Sequence, residues 1–505
     1  LALAMILEII RNVSTFTLLS TTLVIFAAVL YQYWWRRPNG FPPGPRGIPI
    51  LGIIPFLDKF PEKLLKKWSL EKYGAVMSAR LGTSDVVVLN TSESVVEAFT
   101  NQGNLTSGRP NENIFRQATG DKGIVFKDYS MKFKALKKWV IQSLSKHGFG
   151  RNGMEERITE EAVCFTEYLK CKVGKPVDIK LNLYVLTSNV ICRIICGRRY
   201  ELDDQRQLKF LETMQKMLGD PVDAPKVLLI NFFPGLKNLP VFGPAHSRFV
   251  KRIEEVHDFA RDHIEKHKKT FEENNLRDFV DNFIHEMKFG KETMKDYFTE
   301  DELKSIIRDM IVAGSETTSN SLLWCFVILL HHPKHKETIV KEIDEAMGKT
   351  LLPRTTTTST MPFTCAFIQE SMRYCTVVPM GSQHYCQEDI KINDYTIPKG
   401  TTIISNLWGV HNDPVTWPNP LHFDPHRHID DQGKYRNSRN VIPFSIGPRS
   451  CLGEALARQE MFIFLIAILQ KYEINPVPGK PLPSFVGINS LTYTPANFKL
   501  ILTER

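Results

Sequence analysis

The stretch Phe444-Ser445-Ile446-Gly447-Pro448-Arg449-Ser450-Cys451-Leu452-Gly453, near the end of the chain, limits what this sequence can become more than any other feature. It sets one cysteine in a glycine-framed loop directly ahead of an apolar helical pattern that begins around Glu454. Gly447 and Gly453 allow a turn that side chains would block. The positive end of the following helix, with its free N–H groups, favours a thiolate at Cys451. Arg449 is placed to reach an anionic group on the edge of a flat cofactor, and Phe444 to cover the sulfur side. A thiolate, a covering ring and a cation together describe a site for heme and its two propionates.

The remaining cysteines carry no comparable frame. Nine in all is an odd set with no disulfide-like spacing, which fits a reducing compartment. Cys192 and Cys196 flank an Ile-rich stretch at helical spacing and read as core packing rather than as metal ligands. At 505 residues the chain exceeds the usual single-domain size. No Gly/Ser or Pro-rich spacer, repeat or low-complexity tract interrupts it after residue 50, so one continuous catalytic domain over 51–505 is expected. The net charge of +9 is spread along the chain and suits an acidic partner or an anionic membrane surface. No nucleic-acid motif accompanies it.

The N-terminal segment is made of different material. From Val13 to Trp35 there is no charged residue, and the run ends in Tyr31, Tyr33, Trp34 and Trp35 followed by Arg36 and Arg37. Its length and interface aromatics predict a transmembrane anchor over 13–35. The arginines then place residues 1–12 in the lumen and the rest in the cytosol. A cleaved signal peptide would have a shorter apolar core and a small-residue cleavage site. The 36–50 segment, basic and rich in proline (Phe41-Pro42-Pro43-Gly44-Pro45-Arg46-Gly47), reads as a rigid hinge.

Periodicity predicts a mainly α protein with small β-sheets. Two strands are expected within 75–89, broken at Gly82-Thr83-Ser84. Helices are expected near 92–101, 130–145, 155–172, 180–197, 205–218, 245–275, 276–288, 299–332, 334–347 and 362–375, with short β signals around 389–404 and 484–503. The longest helix, Thr299 to His332, spans about 50 Å at 1.5 Å per residue. Thr299 with Glu302 forms a capping-box pattern at its start, and Pro333 stops it. In its middle stands Ala313-Gly314-Ser315-Glu316-Thr317-Thr318. Gly314 costs about 1 kcal/mol relative to alanine in a helix interior. A flat cofactor pressed on the backbone would justify that cost, and so would a helix crossing. Glu316 beside Thr317 supplies an acid and a hydroxyl, the pair needed to deliver protons to a reduced oxygen species.

On the cysteine loop and this helix, the chain resembles the cytochrome P-450 superfamily of heme-thiolate monooxygenases over nearly its whole length, and in particular the microsomal, membrane-anchored clan that oxidises drugs, steroids and fatty acids. The resemblance implies a single heme-thiolate fold holding heme b, with Cys451 as the axial iron ligand and Phe444, Gly447, Arg449 and Gly453 around it. It puts Ala313 and Gly314 against the cofactor and makes Glu316 and Thr317 the catalytic acid and alcohol. Glu370-Ser371-Met372-Arg373 resembles the family's Glu-x-x-Arg pair, which locks to an arginine matched here by Arg427. The usual Glu and Phe beside that arginine are His426 and His428 in this chain.

At the heme edge the sequence departs from the family. Phe133 and Lys137 stand where Trp and Arg are usual, and a second basic position falls on Gly120. His384 and Arg449 remain, with Lys122 and Lys137 as substitutes. The implied substrate pocket is apolar, with Ile311, Ala313, Val377, Val378, Met380 and Ile488 in its walls. The implied reaction inserts one atom of dioxygen into a lipophilic small molecule. No dinucleotide or flavin motif occurs, so electrons must come from a separate NADPH-dependent flavoprotein reductase, with cytochrome b5 as a further donor. A cluster of Lys127, Lys132, Lys134, Lys137, Lys138, Lys146 and Arg151 against Asp128 alone reads either as a solvated face or as a dock for an acidic flavin domain. The implied location is the endoplasmic reticulum membrane. Two alternatives stay open: a heme-thiolate isomerase or dehydratase acting on peroxides without a reductase, and a membrane-tethered protein that only binds heme or lipid.

Overall fold

The computed structural model describes residues 15–149 and 152–505. The lumenal segment 1–12, the first two residues of the expected anchor and Arg151 of the basic cluster lie outside the described residues. The helices are α1 (Thr15–Trp35), α2 (Met131–Lys146), α3 (Asn152–Lys170), α4 (Lys180–Cys196), α5 (Gln205–Gly219), α6 (Gly243–Lys269), α7 (Phe279–Phe289), α8 (Glu300–His331), α9 (Pro333–Ala346), α10 (Pro362–Tyr374) and α11 (Glu454–Lys471), with shorter helical turns between them. The periodic segments of the sequence thus become helices within a few residues of where they were expected, because long amphipathic repeats have one way to bury their apolar face. Among the elements that periodicity did not mark are the helix Ala224–Phe232 and the strand Tyr472–Pro476.

Small sheets complete a mainly helical fold. The strands are β1 (Val76–Leu81), β2 (Ser84–Leu89), β3 (Pro176–Val177), β4 (His384–Tyr385), β5 (Ile390–Ile392), β6 (Tyr395–Ile397), β7 (Thr402–Ser405), β8 (Tyr472–Pro476), β9 (Ile488–Asn489), β10 (Tyr493–Thr494) and β11 (Leu500–Glu504). One sheet runs β1-β2-β7-β4, with β2 and β7 parallel in the register Val86↔Thr402 to Leu89↔Ser405. Others are β3-β11-β8 and the hairpins β5/β6 and β9/β10. The parallel pair ties the start of the domain to a strand far along the chain, so these regions cannot fold as separate units.

Helix α8 is the spine. It packs along α4, against α6 and across α11, and its residues from Leu322 to Leu330 are buried all round. Thr299 caps it by accepting from the Glu302 N–H at 3.3 Å. The reciprocal half of the capping box does not form, because the Glu302 carboxylate is held by Lys127 at 2.7 Å and by the Gly123 N–H at 3.0 Å.

At the other end of the domain, the Trp34 indole lies under the Arg80 guanidinium at 4.4 Å. The proline-rich hinge then runs along β1: the Ser78 N–H donates to Pro43 O at 2.8 Å, and a Cβ at Gly44 would meet Ser78 O at 1.7 Å, so only glycine fits there. Before the hinge, α1 exposes Leu18, Leu19, Leu23, Val24, Ile25, Phe26 and Val29. Among the described residues no helix is long and apolar enough to cross a membrane, α1 included.

Candidate active site

The cysteine loop closes on itself before α11 begins. The Cys451 N–H donates to Phe444 O at 2.9 Å, and the Gly453 N–H donates to the Cys451 sulfur at 3.3 Å. Gly447, at φ +79°, is indispensable: a Cβ there would strike Phe99 O at 1.7 Å. Gly453 is different, since its φ of −91° suits any residue and a Cβ would meet only the Cys451 sulfur at 3.8 Å. The turn therefore depends on one glycine, not on both. The Phe444 ring lies under the Arg458 guanidinium at 5.0 Å, and Arg458 in turn holds Glu454 at 2.9 Å.

The Cys451 side chain is exposed, yet the protein packed around its loop pushes the thiol above its ordinary pKa, against the pull of the Gly453 N–H and of Lys137. Coordination by a metal is what would deprotonate this sulfur.

Helix α8 offers a matching surface. Although most of its length is buried, Ala313 is exposed and Val312, Gly314 and Thr317 are partly so. The Thr317 hydroxyl donates to Ala313 O at 2.8 Å. Gly314 is half-buried on this surface, and a Cβ there would make ordinary contact with Ile191 of α4 at 3.5–3.7 Å, so it also lies at the crossing of two helices. Ile311 is in the core, 1% exposed. Val377, Val378 and Met380 are half-buried, Met380 against the cluster under β1 and β2, and Ile488 is exposed on β9. Glu316 is buried, and its carboxyl is bonded to Thr492. Its Oε1 accepts from the Thr492 hydroxyl at 2.7 Å, its Oε2 is buried without a partner, and burial lifts its pKa to about 7.

Beside the loop lies a group of cations. Arg449 donates to the carbonyls of Ser107 (2.8 Å), Ile124 (3.3 Å) and Lys127 (2.7 Å), and its guanidinium sits 3.8 Å over the Phe133 ring. Arg109, which the sequence reading overlooked, is buried and donates to Val125 O at 3.0 Å and Gln383 O at 2.6 Å. Lys137 donates to Pro448 O at 2.6 Å. Burial, then the like charge of the neighbouring arginine, depresses the Arg449 pKa; for Arg109 burial does so. The opposing charge of Asp128 is shared with Arg116 at 3.7 Å.

His384 is buried in the same place, stacked on Phe99 at 3.7 Å, with its Nδ1 2.9 Å from Thr106 O. Burial and the two arginines hold it far below its ordinary pKa, hence neutral. Positive charge gathered in the interior with its donors turned to carbonyls asks for an anion, and two carboxylates at the edge of a flat ring answer that demand. The donor set fits heme: Cys451 for the iron, and Arg109, Arg449, Lys137 and His384 for the propionates.

Phe133, which replaces an indole donor, becomes the platform for Arg449. Lys122 is drawn away to Glu302 at 3.8 Å, and Gly120 is only the left-handed cap of a short helix at φ +60°. Arg109 had a visible signal, a lone arginine after Ser107-Gly108, but no spacing rule pointed to it.

The lock behind the cysteine loop also departs from expectation. Arg373 grips Glu370 with two bonds of 2.7 Å, both side chains fully buried. Arg427 approaches only to 3.6 Å, its Nε is unsatisfied, and its bonds go to the carbonyls of Asn419 and His422. The hydrogen-bonded third member is His428, 3.0 Å from Glu370. Gln369 Nε2 lies 3.4 Å from the His428 Nδ1, which leaves its Nε2–H to donate to the carboxylate.

Comparison with known proteins agrees with this geometry. The cytochrome P450 family profile matches residues 42–502. The chain is 33% identical to cytochrome P450 2C3 of Oryctolagus cuniculus over 486 residues, covering 94% of this chain and 97% of the relative. It is 34% identical to cytochrome P450 2U1 of Bos taurus over 517 residues (96% and 93%), and 32% identical to cytochrome P450 18a1 of Drosophila melanogaster over 507 residues (97% and 92%). With a framed cysteine, a partly open central helix and a cationic edge in one continuous match, the chain belongs to the cytochrome P450 family, heme-thiolate monooxygenases that bind heme b through a cysteine.

Proposed function

We propose that this monooxygenase oxidises a lipophilic small molecule of the steroid, fatty-acid or xenobiotic kind, with electrons passed from NADPH by a separate flavoprotein reductase and, as a second donor, by cytochrome b5. The observation that carries the reading is the accessible Cys451 beside a cationic edge, together with the partly open stretch of α8 at Ala313 and Thr317. When bound, heme supplies the iron at which dioxygen is split, one atom entering the substrate and the other leaving as water. The chain supplies the rest. Arg109, Arg449 and Lys137 would pair with the propionates, whose negative charge would offset the two arginines that hold His384 neutral. Ala313, Val377 and Val378 exclude water from the substrate side. Glu316, poised near neutrality, is the proton source, and Thr317 Oγ1 is the hydroxyl that carries the proton onward. That acid–alcohol pair favours oxygen chemistry over peroxide rearrangement, which needs no proton source of this kind.

Docking of an acidic flavin domain is supported by α2. Lys134, Lys138 and Lys146 are exposed, and a hollow of about 310 Å³ lined by Tyr129, Phe133, Lys134, Lys137, Lys138, Ile141, Gln142 and Pro448 opens beside them. Lys127 takes no part, being buried on Glu302, and Lys132 is turned toward the same carboxylate at 3.7 Å. Attachment to the endoplasmic reticulum membrane through 13–35, with the catalytic domain in the cytosol, is supported by the apolar row that α1 exposes and by the arginines that follow it. The test is reconstitution with flavoprotein reductase in lipid vesicles and a panel of fatty acids, steroids and xenobiotics. NADPH-dependent loss of at least one compound is expected. Loss that proceeds equally without NADPH would overturn the reading.

A further inference from the structure

The acid beside Thr317 is held by a side chain from the far end of the chain. Thr492, in the turn between β9 and β10, is 3% exposed and donates to Glu316 Oε1 at 2.7 Å. Behind it stand two more neutral groups: Asn320 Nδ2 reaches the same hydroxyl at 3.4 Å, and the Tyr184 hydroxyl donates to Asn320 Oδ1 at 2.7 Å. The hairpin cannot drift. Tyr493 stacks on Trp324 at 4.9 Å, its carbonyl accepts from the Trp324 indole at 3.0 Å, its N–H donates to Val377 O at 2.7 Å, and its hydroxyl donates to Phe485 O at 2.7 Å.

The charged and titratable groups facing Glu316 are Lys180 and Tyr184, both on α4. Burial raises the Glu316 pKa, and the Thr492 hydrogen bond opposes it, because a donor favours the ionised carboxylate. Glu316 Oε2, buried and without a partner, is where the proton of the neutral form resides without conflict.

We propose that Thr492, backed by Asn320 and Tyr184, is the positioning residue that fixes the Glu316 carboxyl and governs when it carries a proton. This deepens the proton-delivering role given above to Glu316 and rests on it. In the wild type the donor form is lost as pH rises through about 7. Without the Thr492 hydroxyl the neutral form persists to higher pH, so the loss moves upward.

The experiment is an infrared titration of the heme-loaded full chain, with the Glu316 carboxyl band isolated by subtracting Glu316→Gln. Its midpoint in Thr492→Val should lie above the wild-type midpoint by about one pH unit, and Thr492→Ser should restore the wild-type value. A second readout is the share of NADPH electrons released as hydrogen peroxide with flavoprotein reductase, whose rise with pH should shift by the same amount. If Thr492→Val does not accumulate, Thr492→Ala carries the same expectation. A band midpoint unmoved by loss of the hydroxyl overturns the proposal. Peroxide release in Glu316→Gln identical to wild type at every pH would instead remove the proton role of Glu316, and the band shift would still judge Thr492.

Discussion

Thr317 and Lys137 show how single side chains divide the work of this site. The Thr317 hydroxyl has its proton committed to Ala313 O, which leaves its lone pairs for a proton donor. Thr317→Ala should keep heme but divert electrons into hydrogen peroxide; peroxide release per NADPH measures it, and wild-type coupling would contradict the role. Lys137 is a point charge on a flexible stem, unlike the planar fork usual at that position. Its amine is tied to Pro448 O, and the proposed reading makes it an auxiliary to Arg109 and Arg449 at the heme edge. Heme transfer to apo-globin should accordingly be faster from Lys137→Ala than from wild type, no faster from Lys137→Arg, and fastest from Arg109→Ala. The sequence carried the charge of Lys137 and Arg449 openly. It did not reveal Arg109, whose role comes from being buried beside Arg449, and burial is a property of the folded chain.

Elements behave as their periodicity says until tertiary contacts intervene. Helix α8 obeys its cap and its proline stop, and the glycine at its centre lies beside Ile191 at the α4 crossing as well as on the partly open face. Composition alone could not separate a crossing from a cofactor contact, since both need a missing Cβ. The α10 lock is a similar case. Spacing gave Glu370 and Arg373 on one face, but proximity of His428 rather than of Arg427 decides the third bond.

Glu370→Ala should cost about 3–5 kcal/mol, because Arg373 would be left buried and unpaired. His428→Phe should cost about 1–3 kcal/mol, since the Arg373 pair survives. Denaturant unfolding of the heme-loaded variants ranks the two, and a larger loss for His428→Phe would refute the assignment.

A second lock joins α6 to the start of α7, where His267 lies 2.8 Å from Asp278. Burial disfavours the charged imidazole, but the Asp278 hydrogen bond and charge outweigh it, and the His267 pKa is raised. A raised pKa contributes stability below the unfolded value near 6.5 and loses it as pH climbs through the folded one. The melting-temperature gap between wild type and His267→Gln should therefore be widest in mildly acidic solution and shrink toward alkaline pH.

Across the whole molecule, strands from both halves of the chain pair in one sheet, and Arg449 of the cysteine loop and Asp309 of α8 both bond to Ile124 although they lie far apart in sequence. That convergence was legible beforehand only through family resemblance, because no local pattern encodes which distant segments meet. The central claim is that Cys451 is the thiolate ligand of a heme held between its loop and α8. The most direct test is the spectrum of the reduced carbon monoxide complex of wild type and Cys451→Ser, purified in parallel. The wild type should give the thiolate-type Soret band, and the variant should lose it whether or not heme is retained. The same thiolate-type band in Cys451→Ser would contradict the assignment.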